Sequence, residues 1–233
     1  SEVLPTGQLR LFQGQRDGTF VERTEAANLK GIIGGLNCLQ TDYDNDGWLD
    51  ILVPRGAWLY EQGRVAQSLL HNEGDGTFVD VTFAAGLAEA NYPTQAVGWA
   101  DYDNDGDLDL YKANESTPRI DAPSQLFRNE GDGRFVDVAR AAGVTNDRFA
   151  KGTCWGDYDG DRYPDLYVSN LGDDRLYHNK RDGTFEDVAV KLGVLGPERS
   201  FPVWFWDYDN DGALDLYVSS YWTKVGPYVL DLL

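Results

Sequence analysis

Four acidic stretches of one design recur along the chain: DYDNDGWLD at 42–50, DYDNDGDLD at 101–109, DYDGDRYPD at 157–165 and DYDNDGALD at 207–215. They begin 59, 56 and 50 residues apart. A second signature alternates with them: LFQGQRDGTFVE from Leu11, LLHNEGDGTFVD from Leu69, LFRNEGDGRFVD from Leu126 and LYHNKRDGTFED from Leu176. Each of these centres on Asp-Gly between alternating apolar residues. That is a hairpin signal, because the tight turn needs positive φ and glycine supplies it without steric cost. Short apolar runs follow the acidic stretches (ILV at 51–53, LY at 110–111, LYV at 166–168 and 216–218), and AVGWA, GTCWG and PVWFW precede the last three. Runs of this kind suit buried strands. One unit therefore holds four strands, with turn signals between them and no sustained helical periodicity, which is the pattern of propeller blades. The expected fold is all-β: a single β-propeller domain over residues 1–233, made of four-stranded antiparallel blades, four of them in this chain.

The charge narrows the partners. With 20 Lys and Arg against 39 Asp and Glu, the 233-residue chain carries −19. Nucleic acid and anionic membrane surfaces repel such a protein, so cations are its natural counterpart. There is no run of 18 apolar residues and no signal-like segment between Ser1 and Phe12, so no membrane insertion is expected. Methionine is absent, even at position 1, and the sequence reads as an excerpt of a longer one. Cys38 and Cys154 sit at different offsets in different units and are expected to be buried thiols.

Asp at positions 1, 3, 5 and 9 of each acidic stretch gathers four carboxylates around one turn, an arrangement that repels itself unless a cation is bound. Calcium takes six to eight oxygens in irregular geometry and fits such a loop better than magnesium, while zinc would ask for His or Cys. About four Ca²⁺ are expected, one per loop. The side-chain ligands are Asp42, Asp44, Asp46 and Asp50; Asp101, Asp103, Asp105 and Asp109; Asp157, Asp159, Asp161 and Asp165; and Asp207, Asp209, Asp211 and Asp215. Position 7, occupied by Trp48, Asp107, Tyr163 and Ala213, is expected to add a backbone carbonyl. An EF-hand would need Glu at position 12, where Val53, Lys112, Val168 and Val218 stand. In the third loop Gly160 holds position 4 and Arg162 holds position 6, where the other loops have glycine. The weakest calcium affinity is expected there.

These loops and hairpins resemble FG-GAP/VCBS repeats of the cartilage-acidic-protein-like, ASPIC/UnbV-associated type, and the loop itself is similar to those of integrin α-subunits. The resemblance spans residues 11–218. It implies a propeller, usually seven-bladed, with structural calcium. The chain is accordingly read as part of a larger propeller; the alternative is a four-bladed ring in which the N-terminal hairpin completes the C-terminal blade.

The expected function is a non-enzymatic, calcium-binding scaffold for a protein or glycan ligand, extracellular, at the cell surface or periplasmic, where calcium is plentiful. The metal loops join first and second strands, so the other connectors emerge at the opposite face. Arg55, Trp58, Tyr60, Arg64, Trp222, Lys224 and Tyr228 are its candidate contact residues. The rival class is a propeller enzyme, or an accessory domain of one, acting on polysaccharide. His71 and His178 fill one slot of the hairpin repeat, where Gln13 and Arg128 stand in the other units, and so read as a surface strand position. No nucleophile elbow, phosphate loop or zinc motif is present.

Overall fold

The structure is a computed structural model that describes residues 7–220. Three complete four-stranded antiparallel sheets follow one another. The first contains β3 (Leu39–Thr41), β4 (Asp50–Val53), β5 (Ser68–Asn72) and β6 (Phe78–Asp80). The second contains β7 (Thr94–Ala100), β8 (Asp109–Asn114), β9 (Gln125–Asn129) and β10 (Phe135–Asp137). The third contains β11 (Phe149–Gly156), β12 (Asp165–Leu171), β13 (Arg175–Asn179) and β14 (Phe185–Asp187). Each is a meander in chain order, with every acidic stretch joining first and second strands and every Asp-Gly joining third and fourth. The Asp-Gly glycines take the expected left-handed backbone, from φ 78° at Gly183 to 94° at Gly76.

The remaining elements are half-sheets. β1 (Phe12–Gly14) pairs with β2 (Phe20–Glu22), and β15 (Ser200–Trp206) pairs with β16 (Asp215–Ser220). The expected four complete blades are therefore three plus two halves among the described residues. The N-terminal hairpin does not complete the C-terminal blade, because the two remain separate sheets. Leu9, Leu11 and Ile32 of the N-terminal segment pack instead with Leu29, Val53 and Leu70, on the first sheet.

The core lies between sheets. Leu52, Leu69, Leu110 and Phe127 fill the first junction, and Tyr111, Leu126, Leu166 and Tyr177 fill the second. Strands β8 and β12 are buried on both faces, so their sequences do not alternate between apolar and polar, and Lys112, Asn114, Ser169 and Asn170 are enclosed with the apolar residues. First strands crowd together along one side, and glycine makes room for that. A Cβ on Gly156 would meet the Phe205 ring at 2.6 Å. Two of the blade-to-blade connectors begin with single helical turns, α1 (Ala139–Ala142) and α2 (Ala189–Leu192), each stopped by a left-handed glycine, Gly143 or Gly193.

Both cysteines are free. Cys154 is largely enclosed, and burial pushes its thiol up to about 12. Cys38 is exposed, contrary to expectation, because it precedes the three-residue β3 in a segment that packs little.

Candidate metal centres

The four acidic loops fold alike, and the backbone explains why. Position 1 accepts two backbone N–H groups: Asp42 from Asp46 and Gly47, both at 3.0 Å, with the same pair repeated at Asp101, Asp157 and Asp207. Position 5 accepts the N–H of position 7, at 2.7 Å from Trp48 to Asp46, 3.0 Å from Asp107 to Asp105, and 2.8 Å from both Tyr163 to Asp161 and Ala213 to Asp211. Position 4 is left-handed at Asn45, Asn104 and Asn210, with φ of 59° to 60°, and position 6 is left-handed at Gly47, Gly106 and Gly212. Asn tolerates that region better than most side chains, and glycine tolerates it freely.

Position 9 is the buried end of the first three loops. Asp50, Asp109 and Asp165 are almost entirely enclosed. Asp109 takes the N–H of Asn129 at 2.8 Å and that of Tyr102 at 3.2 Å, while Asp50 and Asp165 take the equivalent pairs. It thus pins the third strand to the loop. Asp215 takes only the Tyr208 N–H among the described residues.

Position 3 is different. No donor reaches Oδ1 of Asp44 or of Asp103, and both atoms are shut off from solvent. A buried carboxylate oxygen without a partner is costly, and a cation is the partner the surrounding oxygens would admit. Asp101, Asp103 and Asp109 present oxygens within 4.8 Å of one another, as do Asp42, Asp44 and Asp46, and Asp157, Asp159 and Asp161. Burial, reinforced by Asp105 and Asp101, holds Asp103 above the usual carboxylate range, and burial pushes Asp109 up to about 8. A hard divalent ion would reverse both pressures, so the residues fit calcium. Trp48, Asp107, Tyr163 and Ala213 lie where position 7 was expected, with their N–H groups already engaged.

Two features of these loops went unread in the sequence. His71 Nδ1 lies 3.2 Å from both Asp44 Oδ2 and Asp50 Oδ1, and His178 Nδ1 lies 3.2 Å from Asp165 Oδ1 and 3.6 Å from Asp159 Oδ2. The hairpin slot therefore faces the carboxylates of its own sheet rather than open solvent. The asparagine after it bridges sheets: Asn129 donates to the Tyr43 carbonyl and Asn179 to that of Tyr102, each at 2.8 Å. Asn45 adds a link from the first loop to Asp107 of the second at 3.0 Å, and Asn104 one to the Arg162 carbonyl at 3.1 Å. The repeat marked these positions, with Asn72, Asn129 and Asn179 at one offset, but not what they touch.

The third loop carries the strain its sequence implied. Arg162 has φ 75°, in the region that glycine occupies elsewhere, and Gly160 supplies the other left-handed position. In addition, Arg181 Nε donates to Asp161 Oδ2 at 2.7 Å, setting a guanidinium on an oxygen expected to face the ion. Replacing Arg181 with Gln is expected to tighten calcium at this loop severalfold while leaving the other loops unchanged. A titration in which R181Q matches the parent chain at every site would contradict that competition.

Three complete four-stranded sheets, each with an acidic loop between its first two strands, define a repeat protein of the β-propeller class. The chain belongs to the FG-GAP-like repeat family, whose model matches residues 58–111, 117–168 and 157–218. Over 106 residues it is 28% identical to cartilage acidic protein 1 of Homo sapiens and of Mus musculus. That stretch is 44% of this chain but only 15% and 16% of those proteins, so the likeness reaches a small part of their length. Among solved structures, a lectin of Agrocybe aegerita, described for its recognition of non-reducing terminal N-acetylglucosamine, is similar over 82% of this chain and 49% of its own, at 20% identity and a TM-score of 0.45.

Of the candidate contact residues, Arg55 is structural. It is buried and its guanidinium donates to the Ala66 carbonyl and Ser68 Oγ at 2.8 and 3.0 Å, and to the Ile33 carbonyl. Arg64 donates to the Asp121 carbonyl at 2.7 Å, whereas Trp58 and Tyr60 stay exposed on the connector between β4 and β5. Trp222, Lys224 and Tyr228 lie outside the described residues. Among the described residues, no helix is long and apolar enough to cross a membrane.

Proposed function

We propose that this chain is a calcium-binding interaction scaffold, working outside the cytoplasm on a protein or glycan ligand, with one structural Ca²⁺ per acidic loop. The observation that carries the calcium assignment is the contrast within the first two loops, whose backbone pattern the other two repeat. Carboxylates at positions 1, 5 and 9 are aimed by backbone N–H groups, while the position-3 oxygens of Asp44 and Asp103 are buried with nothing to bind. Bound calcium supplies a cross-link between loop and sheet and no bond-making chemistry. Sixteen carboxylates at the four positions would meet four ions, leaving a formal charge of −11 from −19.

Loops of this kind bind with modest affinity, which suits an extracellular, cell-surface or periplasmic setting where calcium is abundant. Calcium would hold one end of the sheets, leaving the opposite face, with Trp58 and Tyr60, to meet a ligand. The scaffold reading predicts retention on an array of extracellular-matrix proteins and glycans in calcium and its loss in EDTA, with no turnover of polysaccharide or ester substrates. Turnover, or an array silent in both conditions, would overturn it.

A further inference from the structure

At the connector end of the first strands lies a cavity of about 420 Å³ that the calcium loops do not use. Its wall is built from one irregularity repeated in three blades. The pairing register slips between Thr94 and Ala96 in β7, between Ala150 and Gly152 in β11, and between Ser200 and Val203 in β15. Gln95, Lys151 and Phe201 fall within these slips, and all three line the cavity. Bulges re-aim side chains and recur beside functional sites.

Lys151 is not free to recruit a charged ligand. Its fully buried ammonium is 2.5 Å from Glu115 Oε1, and the carboxylate is equally buried. A buried ion pair is weak as a device for stability, since desolvation offsets its attraction. This one is spent on orienting Trp58. The other Glu115 oxygen accepts the backbone N–H of Trp58 at 2.7 Å, and Lys151 Nζ lies 3.6 Å from the centre of the Trp58 ring. Trp58 itself has φ 68°, a conformation a bulky residue rarely adopts unless its surroundings impose it. The held indole remains 43% exposed and lines the cavity beside Asn37 and Thr153. Thr153 Oγ1 is shut off from solvent and has no hydrogen-bond partner.

From this geometry we infer that the cavity is a binding site for a neutral pyranose ring, the ring's apolar face on Trp58 and its hydroxyls on Asn37 and, once the wall over its Oγ1 opens slightly, on Thr153. The inference rests on the reading of the chain as a binding module and names its ligand class. The charge of Lys151 is cancelled by Glu115 and the chain as a whole is strongly acidic, so an anion gains nothing here. A purely apolar guest would leave Thr153 unsatisfied. A sugar ring presents polarised C–H groups to the electron-rich indole face and hydroxyls to the polar wall. The volume lies in the range of small-molecule sites, roughly 300–1,000 Å³.

The test is saturation-transfer NMR of the calcium-loaded full chain with a panel of neutral methyl pyranosides, including N-acetylated ones. At least one should bind. Trp58→Ala should weaken that sugar by about tenfold or more, as loss of an aromatic anchor does. Thr153→Val keeps the side-chain shape and should weaken it by about fivefold, with melting temperature and calcium stoichiometry unchanged. A silent panel, or a bound pyranoside indifferent to both substitutions, would overturn the inference. A chain that binds calcium and a protein but no pyranoside would lose this site and keep its scaffold function.

Discussion

Adding about 1 mM calcium to the EDTA-stripped chain is expected to raise its melting temperature by roughly 12–24 °C. At a Kd of roughly 10⁻⁴ M each occupied site contributes about 1.4 kcal/mol, and four independent sites about 6 kcal/mol. For a chain of this size each kcal/mol moves the transition by about 2–4 °C. The effect is large because what the ion relieves is large. Without it, the buried Oδ1 atoms of Asp44 and Asp103 sit among other carboxylates with no hydrogen-bond partner. Magnesium at the same concentration should do less, since it demands a smaller and more regular shell. Differential scanning fluorimetry in calcium, magnesium and EDTA checks all three states, and superimposable melts would contradict the structural role of the loops.

The second large effect separates two aspartates six residues apart. Asp109→Ala strands the buried N–H groups of Asn129 and Tyr102, at about 1–3 kcal/mol each, so a loss of about 2–6 kcal/mol is expected already in EDTA, with about 1.4 kcal/mol more in calcium as the ligand is lost. Asp103→Ala removes a carboxylate whose Oδ1 has no partner in the metal-free loop. In EDTA it should be neutral or slightly stabilising; in about 1 mM calcium it should forfeit about 1.4 kcal/mol. Urea melts of both variants in both conditions decide the matter. Equal losses for D103A in EDTA and in calcium would mean that position 3 is structural rather than a ligand.

The sequence disclosed the sheets because repetition made each local signal count several times. One Asp-Gly is a turn; four of them, each 25 or 26 residues ahead of an acidic stretch, describe a blade. The left-handed positions were legible too: Asn45, Asn104 and Asn210 share the backbone that Gly160 supplies in the third loop, and Arg162 stands out for being neither Gly nor Asn at position 6. Contacts between sheets were not legible. That Asn129 reaches the Tyr43 carbonyl, or that Glu115 pins Trp58 from the next sheet, depends on how blades stack, and periodicity within a blade carries no record of it. His71 and His178 were misplaced for the same reason. Alternation assigns a side chain to a face of its strand, but not to the loop that folds over that face. The bulges at Gln95 and Lys151 were invisible as well, because strands with buried residues on both faces show no clean alternation for a one-residue slip to interrupt.

The measurement that bears most directly on the account is a calorimetric calcium titration of the EDTA-stripped full chain, with folding followed by circular dichroism. Four ions per chain are predicted, the weakest at the loop of Asp157, Asp159, Asp161 and Asp165. A chain that stays folded and takes up no calcium at millimolar concentration would contradict the account, and would leave the four acidic stretches as turns.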